Sequence, residues 1–332
     1  TINDGNSTAV ADASVLSLTI SGATLFAGAG GAFIYDGTGR ATGLEDTGTG
    51  IAVQDANLEL GIISQPSTET TPLSWVAVAG RIGQADLRGI DGIVAIARDV
   101  TFRFNGAATD TTKLDWTSIA DFDGTRIGTI DQTLDLSFGG EIELNIQNNV
   151  IVAAGFSGSV QTVAGVTDGA ITIANAQLVQ FNLSSAYMFI GDGGAFTRVD
   201  GLADGTVTGV AQQGTGFAVT NAALDLYVVN ETPATVGGAA RSWTGLYATA
   251  AQVAPRGMPE GFEITVSDIA VIFNKATNAD TTAGTKLDWI NVAQFTAVPD
   301  VFDAGTDLKV SGTLMLDAFG FVDLSATFDL QV

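Results

Sequence analysis

The sequence predicts an all-β protein that contains two tandem copies of a repeat of about 170 residues. Three observations lead to this fold class. Apolar and polar residues alternate along many short segments, as they do in strands that bury one face. The pentapeptide TKLDW occurs twice, at Thr112–Trp116 and at Thr285–Trp289. No window of about twelve residues repeats its apolar positions with the 3.6-residue period of a helix, so few or no helices are expected.

The alternation of apolar and polar residues is clearest in two segments. VTFRFN begins at Val100, and VDLSATFDLQV begins at Val322. In each segment every second residue is apolar, which predicts a strand with one buried face. A third segment, SFGGEIEL at Ser137–Leu144, places Gly139 and Gly140 between two such runs, and this pattern predicts a hairpin.

The two copies are found by aligning rare residues. A Ser-Trp pair precedes each TKLDW, at Trp75 and at Trp243, so all four tryptophans fall into matched pairs. GGAF occurs at Gly30–Phe33 and again at Gly193–Phe196, in the same order relative to the other motifs. We therefore assign residues 1–150 to a first copy, truncated at its N-terminal end, and residues 151–332 to a second copy. Repeat-aligned tryptophans predict equivalent buried positions.

A shorter pattern recurs inside each copy. Each instance has an apolar residue, then two small or polar residues, then an alternating apolar stretch, which suggests stacked supersecondary units. This recurrence favours a β-solenoid, whereas the Gly-Gly pair and the one-sided alternation favour tandem β-sandwich or barrel-like domains. The instances are ISGATLF from Ile20, VQDANLEL from Val53, ARDVTFRF from Ala97, IDQTLDL from Ile130, LSSAYMF from Leu183, VTNAALDL from Val219, VSDIAVIF from Val266 and VSGTLML from Val310.

The composition excludes several classes of function. The 332-residue chain carries 36 acidic and 13 basic residues, a net charge of -23, and neither His nor Cys. Such a surface repels phosphate, so nucleic acid is not an expected partner. Without His, Ser-His-Asp catalysis and the common zinc sites are excluded. No apolar run reaches the ~18–20 residues of a transmembrane helix, so no transmembrane segment is predicted.

Several motifs of the second copy resemble a known class of repeat. The order is GFAV from Gly216, then SW, FEITVSDIAVIFNKA from Phe262, LDW, and SGTLMLDAFGFVDLSATFDL from Ser311. This order resembles a repeat unit of giant bacterial surface and secreted exoproteins, which are large, Cys-free, acidic, adhesin-like or RTX-like polypeptides. The resemblance is weaker over residues 1–150, where FGGEIELNI from Phe138 stands in place of FGFVDLSATF. It implies an extracellular or bacterial cell-surface location and no catalytic residue.

Asp-Gly turns are the candidate metal sites. Calcium prefers six to eight oxygen ligands from carboxylates and from the carbonyls of tight turns. The sequence contains neither an EF-hand loop nor the RTX nonapeptide, and Asp-Gly is also ordinary turn chemistry. Calcium is therefore a possible cofactor, and no other cofactor is predicted. The candidate calcium ligands are Asp36, Asp200, Asp204, Asp121 and Asp123.

These observations predict a structural or adhesive repeat module and not an enzyme. Its expected partners are neighbouring repeats of the same chain or identical subunits, with assembly into a filament or layer. The alternative is a β-solenoid module that binds or cleaves polysaccharide, with a surface glycan as partner. Glu141 and Glu143 lie on one face of a strand and are the only carboxylate pair we considered for glycoside cleavage. Two acids on a solvated strand face are ordinary, so no catalytic residue is assigned.

Overall fold

A computed structural model gives the fold. It is 68% strand and 4% helical, so the prediction of an all-β fold is confirmed. The helical residues lie in short 3-10 turns, such as Trp116–Ser118, Ala120–Phe122, Ile127–Thr129 and Trp289–Asn291. In the part of the chain that the structure describes, no helix is long and apolar enough to span a membrane. The described residues are 2–3, 9–45, 48–66, 69, 71–199, 206–211, 213–233, 240–278, 284–292 and 302–332.

Long strands dominate the described residues. The strands are β1 Ile2–Asn3, β2 Ala9–Val10, β3 Ser14–Ala29, β4 Phe33–Tyr35, β5 Ala41–Leu44, β6 Thr49–Ser64, β7 Ser74–Arg88, β8 Ile93–Gly106, β9 Leu134–Ile146, β10 Val150–Thr167, β11 Thr172–Asp192, β12 Phe196–Arg198, β13 Val207–Val210, β14 Thr215–Glu231, β15 Ser242–Arg256, β16 Phe262–Thr277, β17 Leu308–Ala318 and β18 Val322–Gln331.

Twelve of these strands form one large sheet. Their order is β3-β6-β7-β8-β9-β10-β11-β14-β15-β16-β17-β18, so each long strand lies beside the next one in the chain. The pairs β1–β2, β4–β5 and β12–β13 are small two-stranded sheets. Antiparallel pairing joins β3 to β6, β6 to β7, β7 to β8, and each neighbour from β14 to β18. The solenoid is not shown, because consecutive strands pair with each other where a solenoid stacks equivalent strands.

The predicted hairpin at Gly139 and Gly140 is wrong. Strand β9 continues from Leu134 to Ile146 through both glycines. A Cβ on Gly140 would lie 2.8 Å from the carbonyl oxygen of Arg98, which belongs to β8. The glycine is therefore needed for close approach of two strands. The reversal comes later, at Gln147 and Asn148, whose φ angles of 51° and 57° suit a tight hairpin turn.

The proposed match between FGGEIELNI and FGFVDLSATF is also wrong in position. Phe138 and Gly139 lie inside β9. Phe319 and Gly320 lie in the turn between β17 and β18, with φ angles of 56° and 66°. The Phe-Gly pair of the first segment thus lies in a strand, and that of the second lies in a turn.

The shorter sequence pattern marks a β-bulge. In six of its eight instances the third residue has a positive φ angle, a conformation that Gly, Asp and Asn adopt more readily than other residues. The pairing register shifts at the same places, between Ile20 and Ala23 and between Leu183 and Ala186. The pattern therefore places a local bend and twist in six of the long strands, β3, β6, β8, β11, β14 and β16. The six residues are Gly22 (φ 61°), Asp55 (51°), Asp99 (50°), Ser185 (49°), Asn221 (47°) and Asp268 (50°).

The chain divides into two compact units. Unit 1 comprises Thr1–Asp91, Ala95–Glu141 and Gly158–Thr162, and unit 2 comprises Gly92–Val94, Ile142–Ser157 and Val163–Val332. The predicted boundary between copies at residue 150 stays a prediction. The main hydrophobic cluster of unit 1 contains Val10, Ile63, Trp75, Ala77, Ala79, Ala108, Leu114, Trp116, Ile119, Phe122, Ile127, Ile130 and Leu134. That of unit 2 contains Val166, Ile171, Ile173, Ala176, Leu178, Tyr227, Val229, Trp243, Ala276, Leu287, Trp289, Val292 and Phe302.

The apolar face of β8 is the less exposed one along most of the strand, as alternation indicated, since Phe102 is half-buried and Arg103 is exposed. The end of the strand reverses this pattern. In β8, Phe104 is 42% exposed while its polar neighbour Asn105 is 2% exposed. The segment that links β8 to β9 packs on the face that carries Asn105 and Trp75. A loop thus covers the more polar face near one end of the strands. In β18 both faces are exposed, so the expected buried face is absent there.

Candidate functional site

Each TKLDW tryptophan of the sequence bonds to a buried asparagine. In unit 1 the indole Nε1 of Trp116 donates to Oδ1 of Asn105 at 2.9 Å. Nδ2 of Asn105 donates to the carbonyl oxygens of Leu114 and Asp131, both at 3.0 Å. Asn105 therefore provides hydrogen-bond partners for one indole N–H and two backbone carbonyls, and it is itself buried. It ties the end of β8 to the loop that follows it.

Unit 2 contains the same set of bonds. Nε1 of Trp289 donates to Oδ1 of Asn274 at 3.0 Å. Nδ2 of Asn274 donates to the carbonyl oxygens of Leu287 at 3.1 Å and Asp303 at 2.8 Å. Each asparagine belongs to a Phe-Asn pair that precedes TKLDW in the sequence, at Phe104-Asn105 and at Phe273-Asn274. The available signal was an asparagine that precedes the TKLDW tryptophan in both copies, by 11 residues in one and by 15 in the other.

The Thr and Lys positions of the pentapeptide have similar partners in the two units. The indole of Trp75 donates to Thr112 Oγ1 at 3.2 Å, and that of Trp243 donates to the Thr285 carbonyl at 2.9 Å. Lys113 pairs with Asp135, and Lys286 Nζ lies 2.8 Å from Asp307 Oδ1. All four tryptophans are buried, as predicted for the two in TKLDW. None of them offers a ring face for stacking on a sugar.

Asp36, a predicted calcium ligand, serves the turn between β4 and β5. Its Oδ1 accepts from the Thr38 hydroxyl at 2.6 Å, the Thr38 N–H at 2.8 Å and the Arg40 N–H at 3.0 Å. These bonds, led by that from the Thr38 side chain, lower the pKa of Asp36 below its ordinary value. The carboxylate is solvent-exposed, and its described contacts are those of a turn acceptor.

The two other calcium candidates among the described residues, Asp121 and Asp123, form no metal-binding group with Asp36. Asp121 lies in the 3-10 turn Ala120–Phe122 and Asp123 follows it, and both are exposed. Asp200 and Asp204 lie outside the described residues. Among the residues that the structure describes, no three acidic side chains form a group suited to a metal. Calcium binding stays a prediction. It is tested by the melting midpoint in calcium and in magnesium at matched ionic strength, where equal midpoints contradict it.

The same turn chemistry explains much of the abundant aspartate. Asp110, Asp115 and Asp131 each precede a threonine by two residues, and each accepts from both the backbone N–H and the hydroxyl of that threonine. The hydroxyl of Thr112 and then its N–H lower the pKa of Asp110. Aspartate suits these positions because its short side chain reaches a donor two residues ahead. These acids therefore shape loops and leave their carboxylates already bonded.

Glu143, one of the two glutamates considered for catalysis, is held by an arginine. Arg198 of β12 donates to Glu143 through two nitrogens, at 3.0 Å and 2.6 Å. Both side chains are largely buried, at 17% and 10% exposure, and Arg198 lies over the ring of Phe196. Glu141 is exposed. A carboxylate locked in a two-point ion pair is suited to fixing the β12–β13 hairpin on the sheet. No local pattern in the sequence linked these two residues.

The two end strands of the sheet order form the remaining candidate surface. Among the described residues, β3 pairs only with β6 and β18 pairs only with β17. Each end strand exposes large apolar side chains, including Leu16 and Leu18 on β3 and Phe328 and Leu330 on β18. An end strand leaves a row of backbone N–H and C=O groups available to another strand. Among the described residues, these two edges are candidate surfaces for the addition of another strand.

Comparison with protein-family models, with curated proteins and with solved structures finds no match to this chain.

Proposed function

We propose that this chain is a structural repeat module of a bacterial extracellular or cell-surface protein. The observation that carries the proposal is the recurrence of one set of contacts around both TKLDW segments. Tandem copies of one unit that keep the same internal bonds are typical of proteins whose role is to extend and to stack. The resemblance to giant exoprotein repeats supports the location, and the net charge of -23 suits a protein exposed to solvent.

The two-copy organisation is part of this proposal. Asn105 and Asn274 accept from matching tryptophans and donate to matching carbonyls. Strand order supports the same alignment. β7 and β15 each begin with Ser-Trp, and each lies between two strands that also match. One of these neighbours carries the QDANLEL or TNAALDL motif, and the other contains a Phe-Asn pair near its end. Recurrence of both bonds and strand order is difficult to explain unless the unit is repeated.

The alternative of a polysaccharide-binding or polysaccharide-cleaving module has less support. Carbohydrate modules stack sugars on exposed aromatic rings, and here Trp75, Trp116, Trp243 and Trp289 are all buried. Glu143 is engaged by Arg198. A glycan array with the purified chain tests this alternative directly, and binding of a polysaccharide at micromolar concentration would favour it.

Labelling of intact cells tests the proposed location. Antibodies raised against residues 1–332 should decorate the surface of the cells that make the protein, or detect it in the medium. Treatment of intact cells with a protease should remove the signal. Labelling that appears only after lysis would contradict the proposal. A cytoplasmic protein of the same cells serves as the control for leakage.

A further inference from the structure

Strand β3 has an internal counterpart in β11. Ile20 of β3 pairs with Leu58, and Leu183 of β11 pairs with Leu224 at the equivalent place in the next strand. The register shifts in the same two steps in both strands, and the bulge residues Gly22 and Ser185 both have positive φ angles. The two strands are therefore built alike. This comparison rests on the proposed two-copy organisation.

The two strands differ in what lies on their other side. β11 has β10 as its second neighbour, whereas β3 is an end strand among the described residues. The start of β10 lies beside the end of β11, since the Gly191 N–H donates to the Asn149 carbonyl at 2.8 Å. The turn at residues 168–171 joins the other ends, so β10 and β11 run antiparallel. The side of β3 that corresponds to the β10 side of β11 has no described strand beside it.

Solvent exposure reflects this difference. Leu16, Leu18 and Ile20 of β3 are 55%, 46% and 41% exposed. Their counterparts in β11, Val179, Phe181 and Leu183, are only partly exposed. A strand beside β3 would cover apolar surface whose counterpart on β11 already has β10 beside it. Burial of such surface drives association.

The counterpart of β10 is β18, which is the strand at the opposite end of the sheet from β3. β17 begins LKVS at Leu308 and β9 begins LDLS at Leu134, and each follows the loop that contains a TKLDW tryptophan. β18 follows β17 by a short turn, as β10 follows β9. β18 pairs with β17 across its full length, from Val322 to Gln331, and has no second partner among the described residues. Its Leu330 is 58% exposed.

The composition of the two edges favours unlike pairing. β3 has no charged residue and no proline along its 16 residues, so it lacks the devices that usually protect an edge strand. β18 carries Asp323 and Asp329, which would oppose each other if two β18 edges met. Pairing of β18 with β3 brings the two aspartates against an uncharged strand.

We propose that the β18 edge of one molecule binds the β3 edge of a second copy of this chain. The two strands run antiparallel, and the contact reproduces the β10–β11 pairing that each molecule already contains. The apolar side chains of β18 then continue the apolar face of β3, with Leu324 and Phe328 beside the row of Leu16, Leu18 and Ile20. Because the two surfaces differ, the contact is head-to-tail. Each added molecule therefore leaves one unpaired edge strand available to bind the next molecule.

Two edge-blocked variants test the proposal. The first carries Leu18→Lys and Ile20→Lys on β3, and the second carries Leu324→Lys and Phe328→Lys on β18. Charges that point across an edge strand are a natural means of preventing strand addition. The matched controls are Ile51→Lys on β6 and Phe217→Lys on β14, which change exposed apolar residues of internal strands. Protection of the buried tryptophans from iodide shows that each variant is folded.

Light scattering across a concentration series gives the readout. The original chain and both control variants should grow beyond the 33.9 kDa of one chain. Each edge-blocked variant alone should remain at that mass. An equal mixture of the two should form a species of twice that mass and grow no further, because each molecule retains one complementary edge.

Three results would overturn the proposal. A β3-blocked variant that still associates would indicate contact between β18 edges. A β18-blocked variant that still associates would indicate contact between β3 edges. A monomeric original chain at high concentration would show that neither edge binds a second copy. The surface-labelling experiment is independent of these results, so failure here leaves the structural role to be judged on its own.

Discussion

The indole nitrogen of Trp289 donates to the side-chain oxygen of Asn274 at 3.0 Å, and both residues are buried. The amide nitrogen of Asn274 donates in turn to the carbonyls of Leu287 and Asp303. Buried polar groups are stable only when bonded, so this asparagine holds together three parts of unit 2. Asn105 does the same for Trp116 in unit 1.

Replacement of this asparagine should destabilise the protein. Asn274→Ala leaves one indole N–H and two carbonyls without a partner, and each unsatisfied buried group costs about 1–3 kcal/mol. We expect the free energy of unfolding of unit 2 to fall by at least that amount. Chemical denaturation followed by tryptophan fluorescence measures it. Asn105→Ala is the matched variant in unit 1, and an unchanged unfolding midpoint in both would contradict the assigned role.

Removal of the tryptophan should be as severe as the loss of other large core residues. Trp289 contacts Tyr227 and Phe302 in an aromatic cluster, with ring centroids 6.3 Å and 6.1 Å away. Trp289→Ala should cost about 3–5 kcal/mol, and Trp116→Ala should cost a similar amount. Iodide should quench none of the four tryptophans of the folded protein strongly. Strong quenching of all four, or near-normal stability of either variant, would contradict their burial.

The ion pair between Arg198 and Glu143 should contribute to the docking of the β12–β13 hairpin. We expect a double-mutant cycle of Arg198→Met and Glu143→Gln to give a coupling energy of about 0.5–3 kcal/mol, the range for contacting residues. Urea denaturation of the four proteins provides the energies. The exposed pair Lys309–Asp329 is the control and should give a coupling of about 1 kcal/mol or less. Equal coupling energies for the two pairs would show that burial does not strengthen the Arg198–Glu143 ion pair.

The sequence was sufficient to predict the strands and the burial of the repeated tryptophans. The recurring pattern was interpreted as stacked supersecondary units, whereas in the structure it marks bulges, with Asp55 and Asn221 at the position that has a positive φ angle. Alternation gave the less exposed face along most of β8 but not at its end. Asn105 is polar yet buried, since a loop packs on it, and alternation reports only contacts along a strand.

Contacts between residues that are distant in the chain could not be predicted from the sequence. Gly140 was interpreted as part of a turn because glycine permits both a turn and the close approach of a neighbouring strand. Arg198 and Glu143 meet only after β12 has folded over the sheet, and neither residue type is distinctive by itself. The acidic turns were recognised, but Asp36 supports two interpretations until its bonds to Thr38 are known.

Acid should destabilise unit 2 through Asp168. Burial raises the pKa of this carboxyl, but N–H donors from Asp288, Ile171 and Ala170 outweigh burial and hold the pKa below its ordinary value of 3.8. The unfolded chain therefore binds the proton more tightly. The contribution of Asp168 to stability is present above about pH 4 and is lost as the pH falls through the lower pKa of the folded protein.

Thermal melting between pH 2 and pH 6 measures this dependence. Asp168→Asn should be less stable than the original chain near pH 6, and the difference should shrink as the pH falls toward 2. Asp121→Asn, which changes an exposed acid, is the control and should change the profile little. A constant difference between Asp168→Asn and the original chain at every pH would show that ionisation of Asp168 does not stabilise the fold.

Hydrogen exchange at two protein concentrations tests the central claim most directly, since it reports on the two edges themselves. In dilute solution, amides of β3 and β18 should exchange faster than those of β11, which has a strand on both sides. At a concentration where the chain assembles, protection should rise in peptides from Ser14–Ala29 and Val322–Gln331 and stay constant in β11. Assembly without new protection in these two segments, or with new protection in only one of them, would contradict the head-to-tail pairing of β18 with β3.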